Sequence, residues 1–465
     1  MELCQYTVAL AGTVKSLQPR WAQTGLCLLL ASGLIVPTPA KAQSILLGPA
    51  PRRVKSRPLY DPALPTGAER APQLALDEPE FARLCSPTRP LCVTWSAPDK
   101  TSPVIAALTE LEVAYDRYVL ALGLPAPRYS DDARPLTWQL EAEPEPLKVH
   151  LKPNLSTGFD TAAVVCHSGT EKELARLAHL CVGEAIAARL DPAETPEIRR
   201  AYALNLWWLV GGMTDADASA LARAQSNPQA AIFTRESLAQ APAAALFFDY
   251  LERELGNDSL AALPTGLIAL SAQRTPPNAW RYLNQPDVAD VVRATFDDNF
   301  PVWAHRILDF AFARAQLDSP PSPILTVLGD LAQPRIDWII KASSLPRRVA
   351  PALPLDPWGS VYVRIDLDVP TDKLQLGVKA EWEAPVAMIW QIAKLDETGK
   401  QIGRIDVAFE QRGTEIERRL VALEGTSSLL IVGMNLGGVD LVHPFDPDHE
   451  PFEPHSCTVY VGRMQ

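Results

Sequence analysis

The sequence is short of positive charge: 43 Lys and Arg stand against 55 Asp and Glu, a formal net charge of −12. An acidic chain repels phosphate backbones, and no basic stripe with interleaved aromatics occurs, so nucleic acid is not an expected partner. No apolar run after Val36 is long enough to span a bilayer, so no transmembrane segment is expected in the mature chain. There is no Gly-x-Ser-x-Gly elbow, no Gly-x-Gly-x-x-Gly fingerprint and no phosphate-cradling loop, which sets aside the common serine-hydrolase and nucleotide-binding classes. Internal repeats and heptads are missing too, which argues against solenoids and coiled coils.

What is present begins with an address. Lys15 and Arg20 precede an apolar run, Leu26 to Val36, and Ala40-Lys41-Ala42 supplies an A-x-A cleavage site. This is the layout of a secretory signal peptide over 1–42, and it implies export to the periplasm or the extracellular space. Cys27 lacks the small residue expected before a lipid-modified cysteine, so release is expected rather than lipid anchoring. The 43 prolines cluster near the N-terminus and between domains. Residues 43–80 read as a Pro-rich leader with little periodicity.

Five of the seven cysteines lie beyond the signal peptide. Export permits disulfides. Cys85 and Cys92 flank a short turn that a bridge would close, and Cys166 and Cys181 form a second candidate pair, with Cys457 left over. Each also fits as a buried small apolar residue, and spacing alone does not decide the pairing.

Apolar residues at three- and four-residue steps predict a helix over 101–123, strands between 136 and 167, and then a run of helices. These lie near 171–190, 196–210, 215–226, 236–255, 257–272, 286–296 and 302–316. After about 355 the period becomes two. Strands follow at 361–369, 374–378, 386–395, 401–409, 415–423, 428–434 and 457–462, the pattern of an antiparallel sandwich. The fold class expected is α+β: a mostly α-helical domain over 81–318, a linker over 319–354 and a β-sandwich over 355–465.

The segment Leu177–Pro192, ending Leu190-Asp191-Pro192, and the following Pro196–Ala203 resemble the zinc-helix region of gluzincin-type metallopeptidases. In that family a helix bearing His-Glu-x-x-His runs into a Leu-Asn/Asp-Pro stop, and the next helix supplies a Glu. Residues 244–256 resemble the helix that follows, and the resemblance covers roughly 100–316. It implies a zincin-like scaffold. In a working site two His at i and i+4 grip Zn²⁺, and the Glu between them activates the bound water. Alignment on the Leu-Asp-Pro stop puts Leu180, Cys181 and Glu184 at the three motif positions and Arg200 near the third-ligand Glu. Leucine cannot ligate zinc, and arginine repels it. Starting from His179 gives Gly183 at i+4, while Glu184 points about 140° away around the helix. The chain therefore reads as an inactive metallopeptidase homologue, or else as an ordinary helical hairpin. His179 and Cys181 lie two apart on a helix, so they do not form a base–nucleophile pair.

Near the C-terminus, His443, Asp446, Asp448, His449, Glu450, Glu453 and His455 alternate with prolines. Asp446, Asp448 and Glu450 offer oxygens to Ca²⁺, and the three His offer nitrogens to Zn²⁺. The stretch is either a cation loop or a solvated inter-strand loop with Phe445 and Phe452 packed on the sandwich. No other cofactor is expected. Trp358, Trp382 and Trp390 are either core residues or, if exposed, a sugar platform. Together with the peptidase-like region, the stretch from Gly359 to Arg463 resembles exported proteins of Gram-negative bacteria. The expected role is non-catalytic binding or assembly at the cell envelope, with an envelope protein or polysaccharide as partner. The alternatives are an active secreted hydrolase with an unrecognised site, and a carbohydrate-binding envelope protein.

Overall fold

The computed structural model describes residues 73–78, 81–95, 101–127, 136–140, 148–154, 158–165, 173–191, 194–233, 238–255, 262–271, 288, 291–292, 300–317, 322–329, 333–407, 413–438 and 454–464. The signal peptide expected over 1–42 lies outside them.

The first sheet orders β1 (Gln73–Glu78), β2 (Phe81–Cys85), β3 (Leu91–Trp95) and β4 (Leu136–Leu140) in sequence. β1 falls inside the stretch read as leader. The β3–β4 pair is parallel, so the chain must cross over between them. Helix α1 (Thr101–Tyr115) makes the crossover and continues as a π-helical turn, Asp116–Ala121. Arg89 in the β2–β3 turn grips Asp116 of that turn, with Nε to Oδ1 at 2.6 Å and Nη2 to Oδ2 at 3.2 Å. The Cys85–Cys92 disulfide closes the same β2–β3 hairpin. A second hairpin, β5 (Lys148–Asn154) and β6 (Gly158–Val165), precedes the helices. The part expected to be mostly helical is thus mixed. β4, β5 and β6 fall within the stretch 136–167 where strands were expected, whereas β1, β2 and β3 were not expected, because five or six residues carry little periodic signal.

The helices are α2 (Leu174–Leu190), α3 (Pro196–Val210), α4 (Asp215–Gln225), α5 (Ala241–Leu255), α6 (Ala262–Ser271), α7 (Phe300–Arg314) and α8 (Pro323–Leu328). α2 is buried all round from Ala178 to Ala188, as expected of a central helix rich in Ala without a polar stripe. α4 starts on a capping box in which Thr214 and Asp217 bond each other's backbone N–H. No helix among the described residues is long and apolar enough to cross a membrane.

Two sheets make the C-terminal sandwich. One orders β13 (Glu415–Leu420), β10 (Leu376–Trp382), β15 (Cys457–Arg463) and β8 (Arg347–Val349). The other orders β12 (Gln401–Asp406), β11 (Val386–Leu395), β14 (Ser428–Gly438), β9 (Ser360–Asp366) and β7 (Trp338–Lys341). Two sequence expectations need correcting. β7 and β8 lie in the stretch read as a linker, where strands of three and four residues between prolines show no alternation. The sandwich is also not wholly antiparallel, because β7 runs parallel to β9.

The five-stranded sheet belongs to two cores. Val363, Ile365 and Ile392 face the other sheet, whereas Tyr362, Ile389 and Val432 join a cluster with Phe247, Trp303 and Phe310 of the helices. β11 is accordingly buried on both faces from Val386 to Ala393. Trp358 holds a positive φ of 65° and sits with its ring 4.8 Å from Trp303 and 5.1 Å from Phe233. A Cβ on the next residue, Gly359, would lie 2.1 Å from the Gln229 carbonyl oxygen, so only glycine fits there. The Tyr362 hydroxyl donates to the Ala311 carbonyl at 2.8 Å. Arg404 pairs with Asp309 at 2.6 Å and covers the Phe312 ring at 4.2 Å.

Candidate functional site

α2 and α3 cross where Gly183 meets Ala203. A Cβ at Gly183 would lie 2.8 Å from Ala203 Cα, so the two backbones touch. The turn between them is set locally. α2 stops at Leu190, with the Asp191 N–H bonded to the Ala187 carbonyl. Thr195 then N-caps α3, accepting from the Ile198 N–H at 3.3 Å, and Pro196 takes the first helical turn, where its missing N–H costs nothing. The expected stop and restart are both present.

The crossing brings Glu184 and Arg200 together. Arg200 Nε donates to Glu184 Oε1, and the two form an ion pair in which the carboxylate is nearly fully buried. Burial pushes the Glu184 carboxyl up, and the Arg200 guanidinium opposes that shift. Arg199, on the neighbouring face, donates from Nη1 to the Glu194 carbonyl at 2.6 Å. Burial lowers its pKa, while Glu184, Glu194 and Asp191 hold it up.

The other aligned positions contribute no chemistry. Leu180 is core. Cys181 is disulfide-bonded, and its expected partner, Cys166, lies outside the described residues. His179 has both ring nitrogens engaged: Nδ1 lies 2.8 Å from the Ala175 carbonyl and Nε2 lies 3.2 Å from Arg117 Nη1. The neutral imidazole satisfies both contacts, with Nδ1–H donating to Ala175 and Nε2 accepting from Arg117. Burial first, and the Arg117 charge second, push its pKa down to about 3. Tyr118 meets the ring edge-on at 5.4 Å, and Trp207 lies at 4.8 Å. Below it, Asp217 takes Arg176 Nε at 2.6 Å and Trp207 Nε1 at 2.8 Å. Among the described residues no group of three or more His, Cys, Asp or Glu is arranged to hold a metal ion.

Sequence reasoning passed over Arg117 and Asp217. The His179–Arg117 contact spans 62 residues, and neither partner lies in a local pattern. The one advance signal for Asp217 was its place three residues after Thr214, the spacing of a capping box.

The C-terminal candidates Asp446, Asp448, His449 and Glu450 lie outside the described residues. His455, at the end of that stretch, bridges Leu355 through its backbone and has Nδ1 3.6 Å from Glu383 Oε2. Trp358, Trp382 and Trp390 are all buried, with the Trp390 ring lying over Gly433, so they form core and not a sugar platform. Cys457 is buried in the sandwich, and burial pushes its thiol up to about 12.

No family model and no curated protein matches this chain. Among solved structures, the chain is similar over 27% of its length to 96% of the pre-peptidase C-terminal domain of a collagenase from Bacillus anthracis, at 11% identity and a TM-score of 0.19. It is similar over 25% of its length to 72% of a xylan-binding domain from Paenibacillus barcinonensis, at 13% identity and a TM-score of 0.17. At such low TM-scores these likenesses carry no weight.

Proposed function

We propose that this chain is an exported, non-catalytic binding or assembly protein of the cell envelope, built on a metallopeptidase-like helix pair that has lost its zinc ligands. The observation that supports this reading is the Glu184–Arg200 ion pair. The resemblance assigns those two positions to the second His and to the third-ligand Glu. Here a guanidinium neutralises the one carboxylate a metal would need, and Leu180 has no lone pair to offer. With Cys181 oxidised and both nitrogens of His179 engaged, neither of these two groups is left to activate a water. What remains is a packed scaffold whose surfaces are free for an envelope protein or a polysaccharide.

Metal analysis of the purified protein, together with a peptide-hydrolysis assay, tests the reading. We expect no stoichiometric zinc and no hydrolysis sensitive to chelation. One transition-metal ion per chain, with activity lost on chelation, overturns it. The scaffold is tested separately by the triple change Leu180→His, Glu184→His and Arg200→Glu. Tight zinc binding by that variant supports a peptidase-like helix crossing, and failure of the folded variant to bind counts against one.

A further inference from the structure

We propose that the rim of the sandwich formed by β7 and β8 docks on an anionic lipid surface. These are edge strands of opposite sheets, joined by the short turn Ala342–Ser344. Arg463 holds that turn by donating Nε and Nη2 to the Ala342 carbonyl at 3.2 and 2.9 Å. At one end Trp338 donates its indole N–H to the Ala350 carbonyl at 2.6 Å. Its polar atom is thereby tied down, and what it shows to water, at 46% exposure, is ring carbon. Ile339 beside it is 56% exposed and Leu353 is 50% exposed. Three residues along β7, about 10 Å at strand rise, stands Lys341, and Arg347 begins β8 beyond the turn.

Charge selects the occupant. The chain as a whole is acidic, yet Lys341 and Arg347 are exposed and within salt-bridge distance of no carboxylate among the described residues. Asp368, held by Ser343 of the turn, acts on Lys341, and the exposed Arg463 on the same turn offsets it. The neighbouring cations are already committed, Arg335 to Asp337 and Arg348 to Glu381. A tethered indole and an isoleucine suit the boundary between headgroups and acyl chains, and the net positive charge of the rim suits the phosphates just above it. An acidic protein would satisfy the cations but leave the apolar side chains unaccounted for. Near an anionic surface each such cation contributes on the order of fivefold in partitioning. The inference stands apart from the fate of the zinc site, so its failure leaves that reading untouched.

Hydroxyl-radical footprinting of the full chain with vesicles reads the contact at individual residues. Vesicles containing phosphatidylglycerol are expected to protect Trp338 and Ile339 several-fold, and vesicles of phosphatidylcholine alone are not. Lys341→Glu with Arg347→Glu, both at exposed positions, should abolish the protection while the thermal transition stays in place. No protection by anionic vesicles, or equal protection in the double variant, overturns the inference. So does equal protection by soluble polyglutamate, which has charge but no acyl chains and would mark an acidic protein partner.

Discussion

Arg200 on α3 donates to Glu184 on α2 at the point where the two helices cross. Each charge is tolerated there because of the other. Arg200→Met should leave a buried carboxylate without its hydrogen-bonded cation, with only the Arg199 charge nearby, and cost about 3–5 kcal/mol. Replacing both, as Glu184→Leu with Arg200→Met, should recover most of that loss, since a well-packed apolar pair often matches a buried ionic one. Urea unfolding of the wild type, the single variant and the double variant closes the comparison. A single variant as stable as wild type would mean that the pair is not formed.

His179 predicts how stability depends on pH. Its folded pKa of about 3 lies below the ordinary 6.5, so the native state holds it neutral. Above pH 6.5 the unfolded chain is neutral there as well, and the group's contribution is fully present. As pH falls from 6.5 toward 3, the unfolded chain takes up a proton that the native state refuses. Stability is then lost at up to about 1.4 kcal/mol per pH unit. His179→Gln should lower stability at neutral pH yet flatten this slope between pH 6.5 and 4. Parallel slopes for the two proteins would rule the group out.

Gly183→Ala should destabilise, against the usual trend in helices. Alanine normally gains about 1 kcal/mol over glycine in a helix interior. Here its methyl would fall 2.8 Å from the Ala203 backbone, and prying two central helices apart costs about 1–3 kcal/mol. A calorimetric midpoint at or above that of the wild type would show that the crossing has room.

The legible parts of the sequence were those with long, regular patterns. The ten-residue run of β11 has the bounds expected for it, and α2 stops at the Leu190-Asp191 signal. The sandwich strands 401–406, 415–420 and 457–463 fall where alternation placed them. β1, β2, β3, β7 and β8 were missed because three to six residues among prolines carry no clear period. At the candidate site, the loss of ligands could be read from Leu180 and Arg200. That Arg200 and Glu184 bind each other could not, because 16 residues and a turn separate them and only the crossing angle decides. Arg117 left no trace in the pattern at all, since burial and partner are properties of the packed fold.

Trp358 should report on how the helices and the sandwich unfold. Its ring fills a pocket among Phe233, Phe247 and Trp303, so Trp358→Ala is expected to cost about 3–5 kcal/mol. Because the pocket packs the sandwich segment at Trp358 against the helices, scanning calorimetry should show one transition that shifts as a unit. Two separate transitions, with only one moving, would contradict the shared packing.

The sheet of β11, β14 and β9 has no spare side, and this restricts how such a gene can be reshuffled. A crossover anywhere in 319–354 would deliver strands whose backs were shaped by some other set of helices, with Gly359 and Trp358 seeking counterparts that the new host lacks. Descendants of this chain are therefore expected to inherit both halves together, each drifting only as fast as its neighbour can follow.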